Sequence, residues 1–381
     1  MVDKKCNIYQ EDKFLSSFEF RIEESSFMPF SCILQSLGKN IIWILIINLI
    51  LDPVNVMVVM FYFTKLINNA FVILCWVLIT VIIIISYWIG LPYWWNKSPV
   101  ITICLLIFGN WLMINCIFHY YMGIICDPGH PPEGVFIEEV ASVCKKCIQP
   151  KPHRTHHCSI CNVCILQMDH HCPWLNNCVG HFNRRYFLMF MVYIEISVLF
   201  LITFGIEIAY VELWLNYNAT DDDTELYGYP VEVNIFLPQE KWIMKPTTSE
   251  ASGVISEEKY KSLRRKAILF AALICLGVAI AIGTLLHRHC KMISRGETSI
   301  EKHINTSERK KFSEKNEVYL NPYDFGKYRN WIIFLGIHNN SKRSWRHILF
   351  PSAHKPFGDG IIWPTIYSTE SEWKNFFHPK Y

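Results

Sequence analysis

CKKCIQPKPHRTHHCSICNVCILQMDHHCPWLNNC, residues 144–178, holds seven of the chain's fifteen cysteines within 35 residues. Cys144 and Cys147, then Cys158 and Cys161, form Cys-x2-Cys pairs, Cys164 follows, and histidines stand at 156, 157, 170 and 171. This is the spacing of structural zinc, which takes four thiolate or imidazole ligands in a tetrahedron. One metal leaves several of these groups unused. Two metals take eight, and six cysteines with two histidines leave one cysteine over. Cys172 has no Cys-x2-Cys partner and directly follows Asp169, His170 and His171. A thiol beside a histidine that a carboxylate holds is the arrangement of a thiolate nucleophile. His170 can take the proton, and Asp169 can orient the imidazole and stabilise its protonated form. The plainer readings of Cys172 are a ninth ligand or an inert thiol.

Outward from this stretch the chain is apolar. Its 381 residues are 51% hydrophobic, with mean hydropathy +0.20 and a net charge of +3. That composition points to a membrane protein, and the small charge excludes a nucleic acid as partner. The cysteines cluster at metal spacing or are scattered through apolar runs, unlike a secreted disulfide framework. Residues 1–30 lack a basic start followed by an apolar core, so no cleaved signal is expected.

The apolar runs set the expected organisation. Residues 1–69 read as a cytosolic segment. Its stretch 41–63 is interrupted by Asn48, Asp52, Pro53 and Asn55, which argues for two half-length pieces or a membrane-surface helix over a third reading, a true span. Residues 70–125 hold spans one and two, at 70–93 and 100–125, with a link short enough to force a hairpin. Residues 126–185 form the cysteine-rich domain. Its Lys145, Lys146, Lys151, Arg154, Arg184 and Arg185 mark it as cytosolic. Residues 186–286 hold spans three (186–210) and four (267–286) around a lumenal loop, 211–266, with a glycosylation triplet at Asn218. Lys261, Arg264, Arg265 and Lys266 run against the charge rule, and span parity overrules them. Residues 287–381 form a cytosolic C-terminal region. The expected fold is an α-helical polytopic membrane protein: four transmembrane helices, with a two-zinc cysteine-rich domain between the second and third. In span three, Glu195 is expected to hydrogen-bond between helices. Thr298 and Glu301 match a capping box, and Asn321 and Tyr323 read as a turn. Cys126 and Cys290 are juxtamembrane thiols able to carry acyl chains.

The run KPHRTHHCSICNVCILQMDHHCPWLNNCVGHFNRRYF, Lys151–Phe187, resembles the cysteine-rich domain of the DHHC-type protein S-acyltransferases, or palmitoyltransferases. The flanks agree. Asp127-Pro128-Gly129 is similar to the family's DPG motif. Thr298-Ser299-Ile300-Glu301 is similar to its TTxE motif, with Ser at the second Thr. Asn321-Pro322-Tyr323-Asp324-Phe325-Gly326 is similar to its C-terminal motif. The resemblance implies two interleaved zinc sites: Cys144, Cys147, His157 and Cys164 on one metal, and Cys158, Cys161, His171 and Cys178 on the other. It implies an enzyme that takes a long-chain acyl group, palmitoyl in the family, from acyl-CoA onto Cys172. The enzyme then passes the group to membrane-proximal cysteines of substrate proteins. It implies residence in the bilayer of the endoplasmic reticulum or Golgi. The competing classes are a non-catalytic zinc-module adaptor, for which a spare thiol has no use, and a RING-like ubiquitin ligase, whose long gap between ligand pairs is missing.

Overall fold

A computed structural model of the chain describes residues 53–132, 140–215, 257–337 and 343–377. The expectations for residues 1–52, the Asn218 triplet and most of the 211–266 loop lie outside them. Among the described residues, four helices are long and apolar enough to cross a membrane: Phe63–Lys97, Pro99–Ile125, Arg184–Trp214 and Lys259–Ser294. The cysteine-rich region lies between the second and third. The shortest of the four has 27 residues, about 40 Å at a rise of about 1.5 Å each, against a hydrocarbon core of about 30 Å. Ile107, Ile206 and Leu273 point outward with 69%, 66% and 70% of their surface open, an arrangement suited to lipid.

Helix α1 (Pro53–Ile85) runs through a five-residue π turn (Ser86–Gly90) into α2 (Leu91–Lys97). Pro53, expected to divide the 41–63 stretch, stands at the first helical position, where its missing N–H costs nothing. The helix therefore starts ahead of the apolar run at 70 and carries Lys65, Asn68 and Asn69. Main-chain bonding does not require apolar side chains. The π turn lies just before Pro92, and a widened turn accommodates the proline ring and its absent donor. Ser98 alone separates α2 from α3 (Pro99–Ile125), and its Oγ accepts from the Ile101 N–H. This is the expected hairpin.

The third span is α4 (Arg184–Tyr210) with a terminal π turn (Val211–Leu215), and the fourth is within α5 (Glu257–Ser294). Leu112, Cys116 and Tyr120 of α3, Phe187 and Met191 of α4 and Ile293 of α5 share one buried cluster. At the far end of the bundle Arg264 pairs with Glu212, and Lys97 and the Tyr93 hydroxyl bind Glu207. Arg264, one of the basic residues that broke the charge rule, is thus matched by an acid on the π turn that ends the third span. Glu195 corrects an expectation. It makes no interhelical hydrogen bond among the described residues, and its buried Oε2 has no partner. It faces Gly283 of α5, where an added Cβ would lie 3.0 Å from Oε1. Glycine offers no side-chain donor, and the N–H groups of a helix interior are already used.

Three antiparallel hairpins build the cysteine-rich region: β1 (Val140–Cys144) with β2 (Gln149–Pro152), β3 (His156–Cys158) with β4 (Val163–Ile165), and β5 (His170–Cys172) with β6 (Asn177–Val179). Their turns place Ile148, Asn162 and Asn176 in the left-handed region. Asp127-Pro128-Gly129 docks this region onto the end of α3. Gly129 has φ 99°, its N–H binds Asp127 Oδ1, and a Cβ there would meet Phe182 at 2.9 Å. After α5 come α6 (Ser299–Glu314), α7 (Lys327–Leu335), α8 (Arg346–Leu349) and α9 (Glu370–Phe377). Thr298 and Glu301 close the expected capping box on α6. Asn321 ties the turn to the end of α5 by donating to the Arg295 carbonyl at 2.8 Å. Phe357, Trp363 and Phe376 form a separate aromatic core in the tail.

Candidate active site

Each hairpin of the cysteine-rich region bends at a cysteine, so two sulfurs of a Cys-x2-Cys pair converge and the next hairpin delivers the remaining ligands. Cys144, Cys147, His157 and Cys164 lie together, as do Cys158, Cys161, His171 and Cys178, with the ligand atoms of each group within 4.8 Å of one another. In the first group His157 Nδ1 is 3.2 Å from Cys147 Sγ and 3.6 Å from Cys144 Sγ, and Cys164 and Cys147 Sγ are 3.8 Å apart. In the second, His171 Nδ1 is 3.3 Å from Cys161 Sγ and 3.5 Å from Cys178 Sγ. Zinc bonds of about 2.3 Å to sulfur and about 2.0 Å to nitrogen in a tetrahedron give edges of about 3.5–3.8 Å. Both groups therefore fit zinc in donor type and size. The side-chain amide of Asn68 lies 3.2 Å from His171 Nε2 and is buried. The atom placed there is Asn68 Nδ2; an imidazole that ligates through Nδ1 carries its proton on Nε2, and turning the amide over would set its oxygen there as the acceptor that fixes the ring.

The β5–β6 hairpin sets His170 opposite Val179, His171 opposite Cys178 and Cys172 opposite Asn177. Alternation along β5 sends His171 toward the metal group and leaves His170 and Cys172 on the other face. Asn177 anchors the hairpin to the end of α3 through the carbonyls of Gly123, Ile124 and Cys126. His170 Nδ1 lies 2.8 Å from Asp169 Oδ2, and Cys172 is an electrostatic neighbour of the same ring. Asp169 is fully enclosed. It accepts from the Ser299 N–H at 2.9 Å and the Ser299 hydroxyl at 2.8 Å, with an Arg184 nitrogen at 3.5 Å. Burial would raise its pKa, but the His170 hydrogen bond and the Arg184 charge hold it well below the carboxylate range. Burial likewise opposes protonation of His170, yet its hydrogen bond to Asp169 and the neighbouring Cys172 keep it up at about 9.

Cys172 is 4% exposed and belongs to the apolar cluster of the spans that also holds Cys116, Tyr120 and Phe187, with Cys75 and Trp76 packed against it. The Tyr120 hydroxyl donates to the Trp174 carbonyl at 3.0 Å, fixing the turn after the cysteine. The arrangement offers a thiol, a histidine to move its proton, and apolar side chains packed around the sulfur. Cys126 and Cys290 lie apart, each half-buried.

All eleven sequence-selected site residues fall into these three groups. Reading the sequence missed Arg184 and His289 as neighbours of Asp169 and Asn68 as neighbour of His171. His289, on α5, lies 4.0 Å from Asp169 and is buried. In the sequence Arg184 reads only as a basic residue of the cytosolic side, and His289 and Asn68 stand in no motif. No spacing marks them, because each arrives from a different helix.

Residues 137–306 match the family model described as DHHC palmitoyltransferase. The chain is similar to Palmitoyltransferase ZDHHC16A of Danio rerio, 37% identical over 325 residues, covering 82% of each chain. It is similar to Palmitoyltransferase ZDHHC16 of Homo sapiens, 39% identical, over 77% of this chain and 74% of that one. A plant protein named Probable protein S-acyltransferase 16, of Arabidopsis thaliana, is 28% identical over 59% of this chain and 70% of its own.

Proposed function

The chain belongs to the DHHC palmitoyltransferase family, an integral membrane protein S-acyltransferase, and we propose that Cys172 is the residue it acylates first. The donor in this reading is a long-chain acyl-CoA. The observation that carries it is the position of Cys172, buried within the apolar cluster and beside His170, which Asp169 holds.

In the first step His170 takes the thiol proton of Cys172. Against burial, Asp169 and the sulfur beside it raise the ring's pKa to about 9, so the imidazolium formed by the transfer is stabilised and the thiolate–imidazolium pair is favoured. The sulfur attacks the thioester carbonyl carbon, the carbon–sulfur bond to CoA breaks, and the CoA thiolate leaves with the proton from His170. In the second step His170 removes the proton of a substrate cysteine. That sulfur attacks the Cys172 thioester, and Cys172 leaves as thiolate and is reprotonated. The acyl chain stays among the spans throughout, where each buried methylene is worth about 0.8 kcal/mol. Zinc, held by the two groups of four, supplies folding energy to three short hairpins. Asp169 keeps the Nδ1 side of His170 occupied, so the other ring nitrogen serves sulfur.

The parts assigned are 126–185 as the zinc domain, 70–125 and 186–286 as the membrane helices, and 287–381 as a tail on the zinc-domain side. That side faces the cytosol, where acyl-CoA and substrate cysteines are found, in the endoplasmic reticulum or Golgi. Basic residues of the cysteine-rich stretch support the orientation. Purified protein mixed with labelled palmitoyl-CoA should acquire one hydroxylamine-labile label per chain. Label that persists on a Cys172→Ser variant would remove this assignment.

A further inference from the structure

Between the cysteine-rich region and the tail lies a cavity of about 60 Å³ whose lining includes Arg154, Arg184 and Arg185 and no Asp or Glu. Its other walls include His181, Asn330 and Trp363. The three arginines are unequally compensated. Arg154 makes a bidentate pair with Glu301 at 2.6 and 2.7 Å and lies over the rings of Tyr323 and Trp363. Arg184 donates to the Glu297 carbonyl at 2.8 Å and has Asp169 at 3.5 Å, a carboxylate already bound to His170 and Ser299. Arg185 has no carboxylate within ion-pair distance among the described residues. It donates through Nη2 to the carbonyls of Ser352 and His354 and rests on the Tyr186 ring, while its buried Nη1 has no partner. The residue is 5% exposed.

A buried guanidinium without a counter-charge is expensive, and an unpaired buried donor adds to the cost. The natural remedy is an anion with several acceptor oxygens, which matches the planar fork of arginine. The volume suits one. A single water needs about 10–15 Å³ by the same measure, so the cavity has room for a tetrahedral group of five heavy atoms. Arg184 and Arg185 are also the first residues of α4, which puts the cavity level with one end of the third span, at headgroup depth. We propose that the cavity binds a phosphate group through Arg185, with Arg184 and Arg154 completing the positive wall, and thereby locks the tail onto the zinc domain. The phosphate can be the free ion or the headgroup of an anionic phospholipid.

Lipid-stripped protein in detergent, heated with rising inorganic phosphate at ionic strength held constant by chloride, tests the first source. Nanodiscs of phosphatidylcholine with and without phosphatidic acid test the second. A saturable rise in unfolding temperature is expected in at least one arm. A rise with inorganic phosphate identifies a free-ion site, and a rise only with phosphatidic acid identifies a lipid site. Arg185→Gln should abolish the rise, whereas Lys291→Gln, an exposed cation outside the cavity, should keep it. Arg185→Lys retains a charge without the fork and should weaken apparent affinity by about tenfold. It serves if the glutamine variant does not fold. Phosphorus-31 line broadening of phosphate on the unaltered protein needs no variant. No saturable rise in either arm, or a rise of full size in Arg185→Gln, would overturn the proposal.

Discussion

Cys172, His170 and His171 are neighbours in sequence with three separate fates, and strand alternation is the reason. His171 turns to sulfur ligands, while His170 and Cys172 share the opposite face. Cys172→Ser should therefore fold, keep two zinc ions and form no hydroxylamine-labile adduct. His170→Ala should also keep its metal but acylate about 10²- to 10⁴-fold more slowly, with part of the rate recovered at higher pH as the thiol ionises unaided. His171→Ala should lose zinc and structure together, since it opens a closed site. Zinc content beside the single-turnover rate of all three variants checks this, and a His170 variant that loses metal while the His171 variant keeps it would reverse the assignment. Asn68 belongs to the same scale. Asn68→Leu removes the amide beside His171 Nε2 and should shed zinc to a chelator about 10- to 100-fold more readily, whereas Asn68→Asp places an acceptor there and should hold it.

The start of α6 joins two jobs at one turn. Thr298 and Glu301 cap the helix, and the intervening Ser299 reaches Asp169 with both its N–H and its hydroxyl. Ser299→Ala removes the hydroxyl alone. The cap and the N–H remain, so the helix should stay folded while the acylation rate falls by up to about tenfold, equivalent to about 1.4 kcal/mol. A circular-dichroism spectrum beside the rate separates the two effects, and an unchanged rate would mean that Asp169 is held without this hydroxyl. The three hairpins make the opposite case, because short strands with few core residues need their metals. Cys147→Ser, which takes one sulfur from the first group, should lose folding as well as activity.

At the level of the whole chain, tail and zinc domain are held together by a buried histidine. His181 is 4% exposed, its ring faces the Gly358 carbonyl, and Asp359, Arg154 and Arg184 surround it. Burial, aided by the two arginines and opposed by Gly358 and Asp359, lowers its pKa from 6.5 to about 4. The unfolded chain therefore binds the extra proton between those values, and the folded chain does not. Stability from this group is complete above about pH 6.5 and is lost as pH falls toward 4, by roughly 3 kcal/mol at most. Thermal unfolding followed from pH 7 to pH 4 should show a loss that is smaller in His181→Gln. Sealed vesicles check the orientation: protease should cut residues 144–185 and spare 211–266, and the reverse pattern would place the site in the lumen.

Four spans and the zinc-binding region were legible in the chain because each is a local pattern, and the proposal of Cys172 as nucleophile rests on a local pattern too. Apolar runs of membrane length announce helices, Cys-x2-Cys pairs announce zinc, and a cysteine left over beside Asp-His announces a thiolate. The alternation of β5 follows from three consecutive residues, 170–172. The bounds of the first helix were less legible, since main-chain bonding carries α1 through Lys65 and Asn68 without regard to hydropathy. Glu195 was misread, because its neighbour proved to be Gly283 on another helix. Arg184, His289 and Ser299 converge on Asp169 from α4, α5 and the start of α6. The three arginines of the cavity come from the β2–β3 turn and the first residues of α4, and the tail closes over them. Such convergence has no period and no spacing in sequence. It exists only once packing has brought distant segments together, because the field at a buried carboxylate or guanidinium is set by what lies beside it in space.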